Sequence, residues 1–149
     1  MMQQFWIGTV SKEHVISGKS EGIAQVCHGK GAPLKRMKPN DILIYYSPNE
    51  KFGEKNPYQC FTAIGIILPK EPYQFKMSED FIPFRRDVKY IKTKDTPIRP
   101  LLPQLSFVHD KTKWGAAFRF GILKIPQKDF IIIARAMGLT HEKIDELFL

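Results

Sequence analysis

The stretch "CFTAIGIIL", residues 60–68, decides the fold. It carries no charge, and its large apolar side chains fall at odd and even positions alike. Successive side chains of a strand point to opposite faces of a sheet. A strand apolar on both faces is therefore covered on both, which makes this the central strand of a layered sheet. Pro57 and Pro69 bracket it, at places where a missing N–H is tolerated.

Four further segments rich in β-branched and aromatic residues read as strands: "FWIGTV" (5–10), "DILIYYS" (41–47), "RRDVKYI" (85–91) and "FRFGILKI" (118–125). Residues 12–18, 32–38 and 98–105 read as helices of one or two turns. "PQKDFIIIARAMG" (126–138) is the clearest helix: Pro126 ends a strand, Asp129 lies in the first turn, and Gly138 suits a left-handed C-terminal position. A last helix, "THEKIDELF", follows with Thr140 as N-cap, and Ile144, Leu147 and Phe148 face the barrel. Five or six short strands with scattered helices give an α+β chain with a small, curled, mixed or antiparallel β-barrel and flanking helices. Residues 1–149 read as one domain, with no repeat and no low-complexity linker.

The composition narrows the function. Hydrophobic residues make up 43% and aromatics 12%, which argues against disorder. Twenty-three Lys and Arg against fifteen Asp and Glu leave a formal net charge of +8, which favours acidic partners, nucleic acid first and an anionic membrane second, with solubility alone as the bland alternative. No run approaches the ~20 apolar residues of a membrane span, and the N-terminus lacks the pattern of a signal peptide. Two cysteines, Cys27 and Cys60, are too few for a disulfide framework and fit a reducing cytoplasm.

One polar stretch invites chemistry: "QVCHGKGAPLKRM", Gln25 to Met37. Cys27 and His28 are adjacent, and adjacent side chains on extended backbone diverge, which argues against a thiolate–imidazole dyad. His14, Cys60, His109 and His141 stand apart without metal-ligand spacing, so no metal and no cofactor is expected. The glycine spacing is not that of a P-loop. What remains is a turn at Gly29 and Gly31 with backbone amides and Lys30 beside it, an anion-binding arrangement. Lys35, Arg36 and Lys38 follow, with no acid between Gln25 and Pro39.

Two more basic blocks interleave with aromatics. "PFRRDVKYIKTKDTPIR" (83–99) has six Lys and Arg, Arg85 and Arg86 among them, against two Asp. "DKTKWGAAFRF" (110–120) sets Trp114 between Lys113 and Arg119. Cations meet phosphates while flat rings stack on bases. Trp6 and the Tyr45–Tyr46 pair, whose rings point to opposite faces, complete the aromatic set, and Ser47 follows as a candidate hydrogen-bonding group. Core packing is the competing role for each ring. A helix-turn-helix across "ARAMGLTHEKI" is disfavoured, because its second helix is net acidic.

Taken together, "FWIGTVSKEH", "AQVCHGKGAPLKRMKPNDILIYYSP", "YQCFTAIGII", "YQFKMSEDFIPFRRDVKY" and "WGAAFRFG" resemble the EVE domain, in its stand-alone bacterial and archaeal branch. The resemblance runs from about Phe5 to Gly138. It implies a PUA-like fold akin to the YTH and ASCH domains. It also implies recognition of a modified base flipped into an aromatic pocket: methylated or hydroxymethylated cytosine in DNA, or a modified base in RNA. Ser11 and Ser47 match the family pattern, while Cys27, His28 and Tyr46 occupy pocket-like positions with altered chemistry. The implied ligand-binding set is Trp6, Ser11, Cys27, His28, Gly29, Lys30, Tyr45, Tyr46, Ser47 and Trp114. Lys35, Arg36, Arg85, Arg86, Lys113 and Arg119 are the expected contacts to the nucleic-acid backbone. His28 is expected to touch the ligand's edge and Cys27 to pack inward. The partner is then DNA or RNA carrying a modified base, with no membrane association, bound by a monomer or weak homodimer. No catalytic residue is assigned. An ASCH-like ribonuclease using His28 and Lys30 is the alternative, and a subunit that only packs on a partner protein is a third reading.

Overall fold

The computed structural model describes residues 2–148. Its eight strands are β1 (Phe5–Thr9), β2 (Ile23–Ala24), β3 (Ile42–Asn49), β4 (Pro57–Ile67), β5 (Tyr73–Gln74), β6 (Phe84–Ile91), β7 (Thr96–Pro97) and β8 (Ile122–Ile125). The α-helices are α1 (Lys12–Glu21), α2 (Gly31–Arg36), α3 (Gln127–Ala136) and α4 (His141–Leu147). Short 3-10 turns occupy Cys27–Gly29, Arg99–Gln104 and Lys111–Phe118. The main sheet runs β2-β6-β4-β3-β1-β8, with β5 added to β6 and β7 to β4. β1 and β3 are parallel and the other pairs antiparallel. A parallel pair needs a crossover rather than a hairpin, and α1, β2 and α2 supply it. The result is a mixed sheet curled into a half-barrel with flanking helices, the PUA-like architecture.

β4 lies between β3 and β6, and both of its faces are buried. Strict alternation does not hold along it. Phe61 and Ile64 belong to the core cluster shared with α3 and α4, while Ala63 and Ile67 belong to the cluster under α1 and α2. Opposite Tyr45 and Tyr46 stand Ala63 and Phe61, so Thr62 is an extra residue, a β-bulge. The bulge shifts parity by one and lets both halves of the strand bury their apolar side chains. Thr62 Oγ1 lies 2.8 Å from Ser47 Oγ and donates to the Tyr45 carbonyl at 3.4 Å, which satisfies the buried hydroxyls. Gly65 allows β6 to close in, because a Cβ there would lie 2.4 Å from a Val88 methyl group.

Asp41, which is 2% exposed, ties the start of β3 to β1. Its carboxylate accepts the Gln4 and Lys38 backbone N–H groups at 3.0 and 2.9 Å and the Trp6 indole N–H at 3.0 Å. Asp129, inside α3, likewise accepts the backbone N–H groups of Ser106 and Phe107 and the Ser106 hydroxyl.

Several expectations need correction. Residues 118–121 are not strand: the sequence ahead of them, Gly115-Ala116-Ala117, lacks β-branched side chains and coils into the 3-10 turn, and Gly121 at φ +79° turns the chain into β8. Trp6 does not face a ligand, because its indole is locked on Asp41 in the core. Ser47 is fully buried on the bulge. Arg86 is 1% exposed and donates to the carbonyls of Leu34, Met37 and Leu68, so its guanidinium holds the end of α2 instead of a phosphate. Arg85 is buried as well, against Phe75 and Gln25. In contrast, Thr140 caps α4 by accepting from the Lys143 N–H, and Gly138 sits at φ +100° after α3, both as read from the sequence.

Removing the Asp41 acceptor strands three donors, the buried Trp6 indole N–H and two part-buried backbone N–H groups. Asp41→Ala is expected to cost about 3 kcal/mol, the scale for unsatisfied buried donors that had bonded a charged group. Urea unfolding monitored by tryptophan fluorescence checks this, with Asp41→Asn expected to lose less.

Candidate functional site

Two neighbouring cavities open where β1 ends, and Thr9, Phe118 and Arg119 line both. The first has a volume of about 540 Å³. One wall is the start of α1. Ser11 is its N-cap, in extended conformation, and the Ser11 hydroxyl oxygen accepts the His14 backbone N–H at 3.2 Å. His14 follows on the same turn, its Nε2 3.1 Å from the carbonyl of Gln25. A carbonyl only accepts, so Nε2 carries the proton and Nδ1 is left as the ring's acceptor. Burial lowers the His14 pKa below the usual imidazole value, and the bond to Gln25 offsets only part of that. The ring is therefore neutral at pH 7.

The floor is a polar knot around Gln25, which is 8% exposed. Its carbonyl also accepts the Tyr45 hydroxyl at 3.2 Å, and its amide oxygen accepts from Arg85 at 3.4 Å. Arg85 is placed in turn by Glu21, at 3.7 Å, and by the Phe75 ring. Tyr45 and Arg85, expected as ligand and phosphate contacts, thus act from behind Gln25.

The opposite wall is the Cys27–Gly29 turn. Three consecutive residues take left-handed backbone, with φ +49°, +58° and +85°. The first two are not glycine, and such conformations cost roughly 1–2 kcal/mol each. Gly29 is obligatory for a second reason: a Cβ there would meet Pro83 at 2.5 Å. The turn exposes His28, whose ring meets that of Phe52 edge-on at 5.7 Å. Cys27 is half-buried, and its thiol donates to the Phe120 carbonyl at 3.4 Å. Burial raises the Cys27 pKa more than Arg36 and Lys30 lower it, so the group is a thiol and not a nucleophilic thiolate.

The mouth is rimmed by aromatics from three different loops. Phe52 and Phe120 are 80% and 79% exposed and Phe81 is 42% exposed, with Met77 beside them. Large apolar side chains gathered at one opening mark a place where something docks.

The second cavity, of about 420 Å³, is aromatic at its base. Tyr46 stacks on Phe118 with ring centroids 4.4 Å apart, and Trp114 stands edge-on to both. Lys113 and Arg119 lie at its border, and the Arg99 guanidinium lies 5.4 Å from the Trp114 ring centre.

The structure thus gathers Ser11, Cys27, His28, Gly29 and Lys30 at one cavity and Tyr46, Lys113 and Trp114 at the other, with Arg119 at both. Lys35 and Arg36 are exposed on α2 and belong to neither lining. The sequence reading missed His14, Gln25, Phe52, Met77, Phe81 and Phe120 at the first cavity. Phe52 stood out in principle, as a lone aromatic within the otherwise polar loop "EKFGEKN". Among the described residues no group of three or more His, Cys, Asp or Glu is placed to hold a metal ion, and no helix is long and apolar enough to cross a membrane.

The curled mixed sheet with flanking helices is a PUA-like fold, also seen in YTH and THYN1 structures. The family model of the EVE domain matches residues 4–136, and the chain belongs to that family. A UPF0310 protein of Mesorhizobium japonicum is 47% identical over 139 residues, covering 92% of this chain and 93% of its own. The UPF0310 protein YdcG of Bacillus subtilis is 41% identical over 140 residues, covering 94% and 96%. Among solved structures, the YTH domain of Zygosaccharomyces rouxii MRB1, in complex with N6-methyladenosine RNA, superposes with a TM-score of 0.60 at 12% identity, covering 93% of this chain and 89% of that one. Human THYN1 in complex with 5-methylcytosine-containing DNA gives 0.54 at 14% identity, covering 93% and 99%. At these identities the structural likeness is one of fold.

The left-handed turn makes a testable separation of stability from function. His28→Gly is expected to leave stability unchanged or raise it by up to ~1 kcal/mol, whereas His28→Val, β-branched at positive φ, lowers it by about 1–2 kcal/mol. Thermal unfolding of the two variants checks the order. His14 sets a pH dependence. Its folded pKa lies below the value of about 6.5 in the unfolded chain, so below that pH the unfolded state binds the extra proton. Its contribution is complete above pH 6.5 and is lost as pH falls toward the folded pKa. Urea unfolding at pH 7.5 and 5.5 is expected to show a smaller difference in His14→Gln than in wild type.

Proposed function

We propose that this protein is a non-catalytic reader of a modified nucleobase in DNA or RNA, which is flipped out of its stack into the first cavity. The observation that carries this reading is the cavity mouth: three solvent-exposed phenylalanine rings from separate loops, beside a histidine held in strained backbone. Unstacking a base costs a few kcal/mol. A base–aromatic stack returns about 1–3 kcal/mol, so the rim rings together offset it. Neutral His14 with its Nδ1 acceptor and the exposed His28 are the groups that read the base's polar edge. Lys30 and Arg119, both in the cavity lining, would meet the adjoining phosphates in this reading, with Lys35 and Arg36 extending the positive surface along α2. A single methyl mark adds only ~0.8 kcal/mol of apolar contact, so selectivity requires a close wall, a part taken in this reading by the Cys27–Gly29 turn packed on Pro83. The nucleic-acid complexes of the similar folds, with N6-methyladenosine RNA and 5-methylcytosine DNA, support the class of ligand. Methylated or hydroxymethylated cytosine in DNA and a modified RNA base are the candidates. The same reading places the chain in the cytoplasm, where its two free thiols stay reduced, as a monomer or weak homodimer.

Fluorescence anisotropy with single-stranded DNA and RNA oligonucleotides tests this, using 5-methylcytosine, 5-hydroxymethylcytosine, N6-methyladenine and unmodified controls. One modified strand is expected to bind at least about fivefold tighter than its twin, about 1 kcal/mol. Phe120→Ala and His28→Ala, shown to be folded, are expected to lose at least about tenfold. Folded variants that bind as tightly as wild type sink the reading. Cleavage of labelled RNA by wild type but not by His28→Ala replaces it with the ribonuclease.

A further inference from the structure

We propose that the second cavity receives the base next to the modified one, so that the protein reads a single strand in a register of two unstacked nucleotides. This rests on the base-reader role of the first cavity. The two cavities share Thr9, Phe118 and Arg119, so they are separated by a single wall. Consecutive bases of one strand are joined through one phosphate, and Arg119, exposed on that shared wall, is placed to meet it.

The second cavity has the make-up of a stacking platform and not of a core defect. The protein's two tryptophans differ: Trp6 is 6% exposed and hydrogen-bonded to Asp41, while Trp114 is only half-buried and lines the cavity. The Trp114 ring is fixed by edge contacts to Tyr46 and Phe118. Gln59, also in the lining, adopts φ +52°, an uncommon conformation for a non-glycine residue, and its amide oxygen accepts from Arg99 Nε at 2.9 Å. With its oxygen held by Arg99, the Gln59 amide presents its NH2 group as donor. Lys113 and Arg119 add positive charge, and no acidic residue is among the described residues that line the cavity. A flat ring, a fixed amide and cations at the border fit a nucleobase and its phosphate.

The register decides the polymer. In a duplex, two adjacent pairs would have to open, each at a few kcal/mol, for one modified base recognised. A single strand, or a locally melted site, avoids that cost. Single-stranded DNA or RNA is therefore the substrate class, and duplex with the same mark binds more weakly.

The test uses the full-length protein and short single strands that carry the modified base preferred in the oligonucleotide assay, with an abasic nucleotide on its 5′ or 3′ side. Wild type is expected to lose about tenfold, within the ~5- to ~150-fold of one base–aromatic stack, when one particular side is abasic, and little when the other is. Trp114→Ala is expected to lose the same factor on the intact strand and to be indifferent to the abasic site, while Trp114→Phe keeps most of the affinity. The fluorescence of Trp6 reports that both variants are folded. The modified mononucleotide is expected to bind wild type and Trp114→Ala equally. An abasic neighbour that costs nothing on either side, or an abasic penalty undiminished in folded Trp114→Ala, overturns the proposal while leaving the base reader standing. An intact neighbour penalty without discrimination between modified and unmodified strands overturns the base reader and leaves the second cavity as a stacking site.

Discussion

Thr62 is one residue more than the pairing of β3 and β4 accommodates, and both cores of the protein are built around that surplus. Without the bulge, Phe61 and Ile64 would point to opposite sides, and one half of β4 would present its apolar side chains to the wrong layer. With it, α3 and α4 pack on one face and α1 and α2 on the other. The bulge falls between Tyr45 and Tyr46, so it also divides the two cavities' supports. Tyr45 runs behind Gln25 under the first cavity, and Tyr46 stacks on Phe118 beneath the second. Ser47 and Thr62 make this possible by hydrogen-bonding each other where water does not reach.

A second constraint is the number of groups that converge on Gln25. Its carbonyl receives both His14 and Tyr45, and its side chain receives Arg85. These elements come from α1, β3 and β6, so three parts of the sheet and crossover meet at the cavity floor. Against that floor the Cys27–Gly29 turn stores backbone strain and leaves His28 exposed. Strain of this kind persists where surrounding structure over-determines it, and it clusters at binding sites.

Charge and aromatic content singled out residues that the fold then treats unevenly, some at the cavities and some in the core. Lys113, Trp114 and Arg119 line one cavity together because the run that holds them is short and local and coils as a turn. Arg85 and Arg86 belong to an equally basic run, yet both are buried, because β6 is interior on that side and its arginines satisfy carbonyls and Gln25. Trp6 looked like a stacking ring, and only the fold shows Asp41, 35 residues away, accepting its N–H. Phe81 and Phe120 escape notice for the opposite reason: nothing local distinguishes a phenylalanine at a rim from one in a core, whereas Phe52 is marked by its polar loop.

By itself the sequence determined what depends on neighbours along the chain: the central strand, the α3 and α4 boundaries, the left-handed Gly138, the basic balance and the glycine-bearing turn after Gln25. These follow from side-chain period, capping and backbone sterics, which act over a few residues. The tertiary structure alone decided which polar and aromatic groups face solvent. Burial is a property of what packs opposite, and the partners of Trp6, Tyr45, Ser47 and Arg86 lie between 15 and 52 residues away along the chain. The pairing of two cavities across one shared wall belongs to the same category, because their linings combine residues as far apart as Thr9 and Arg119.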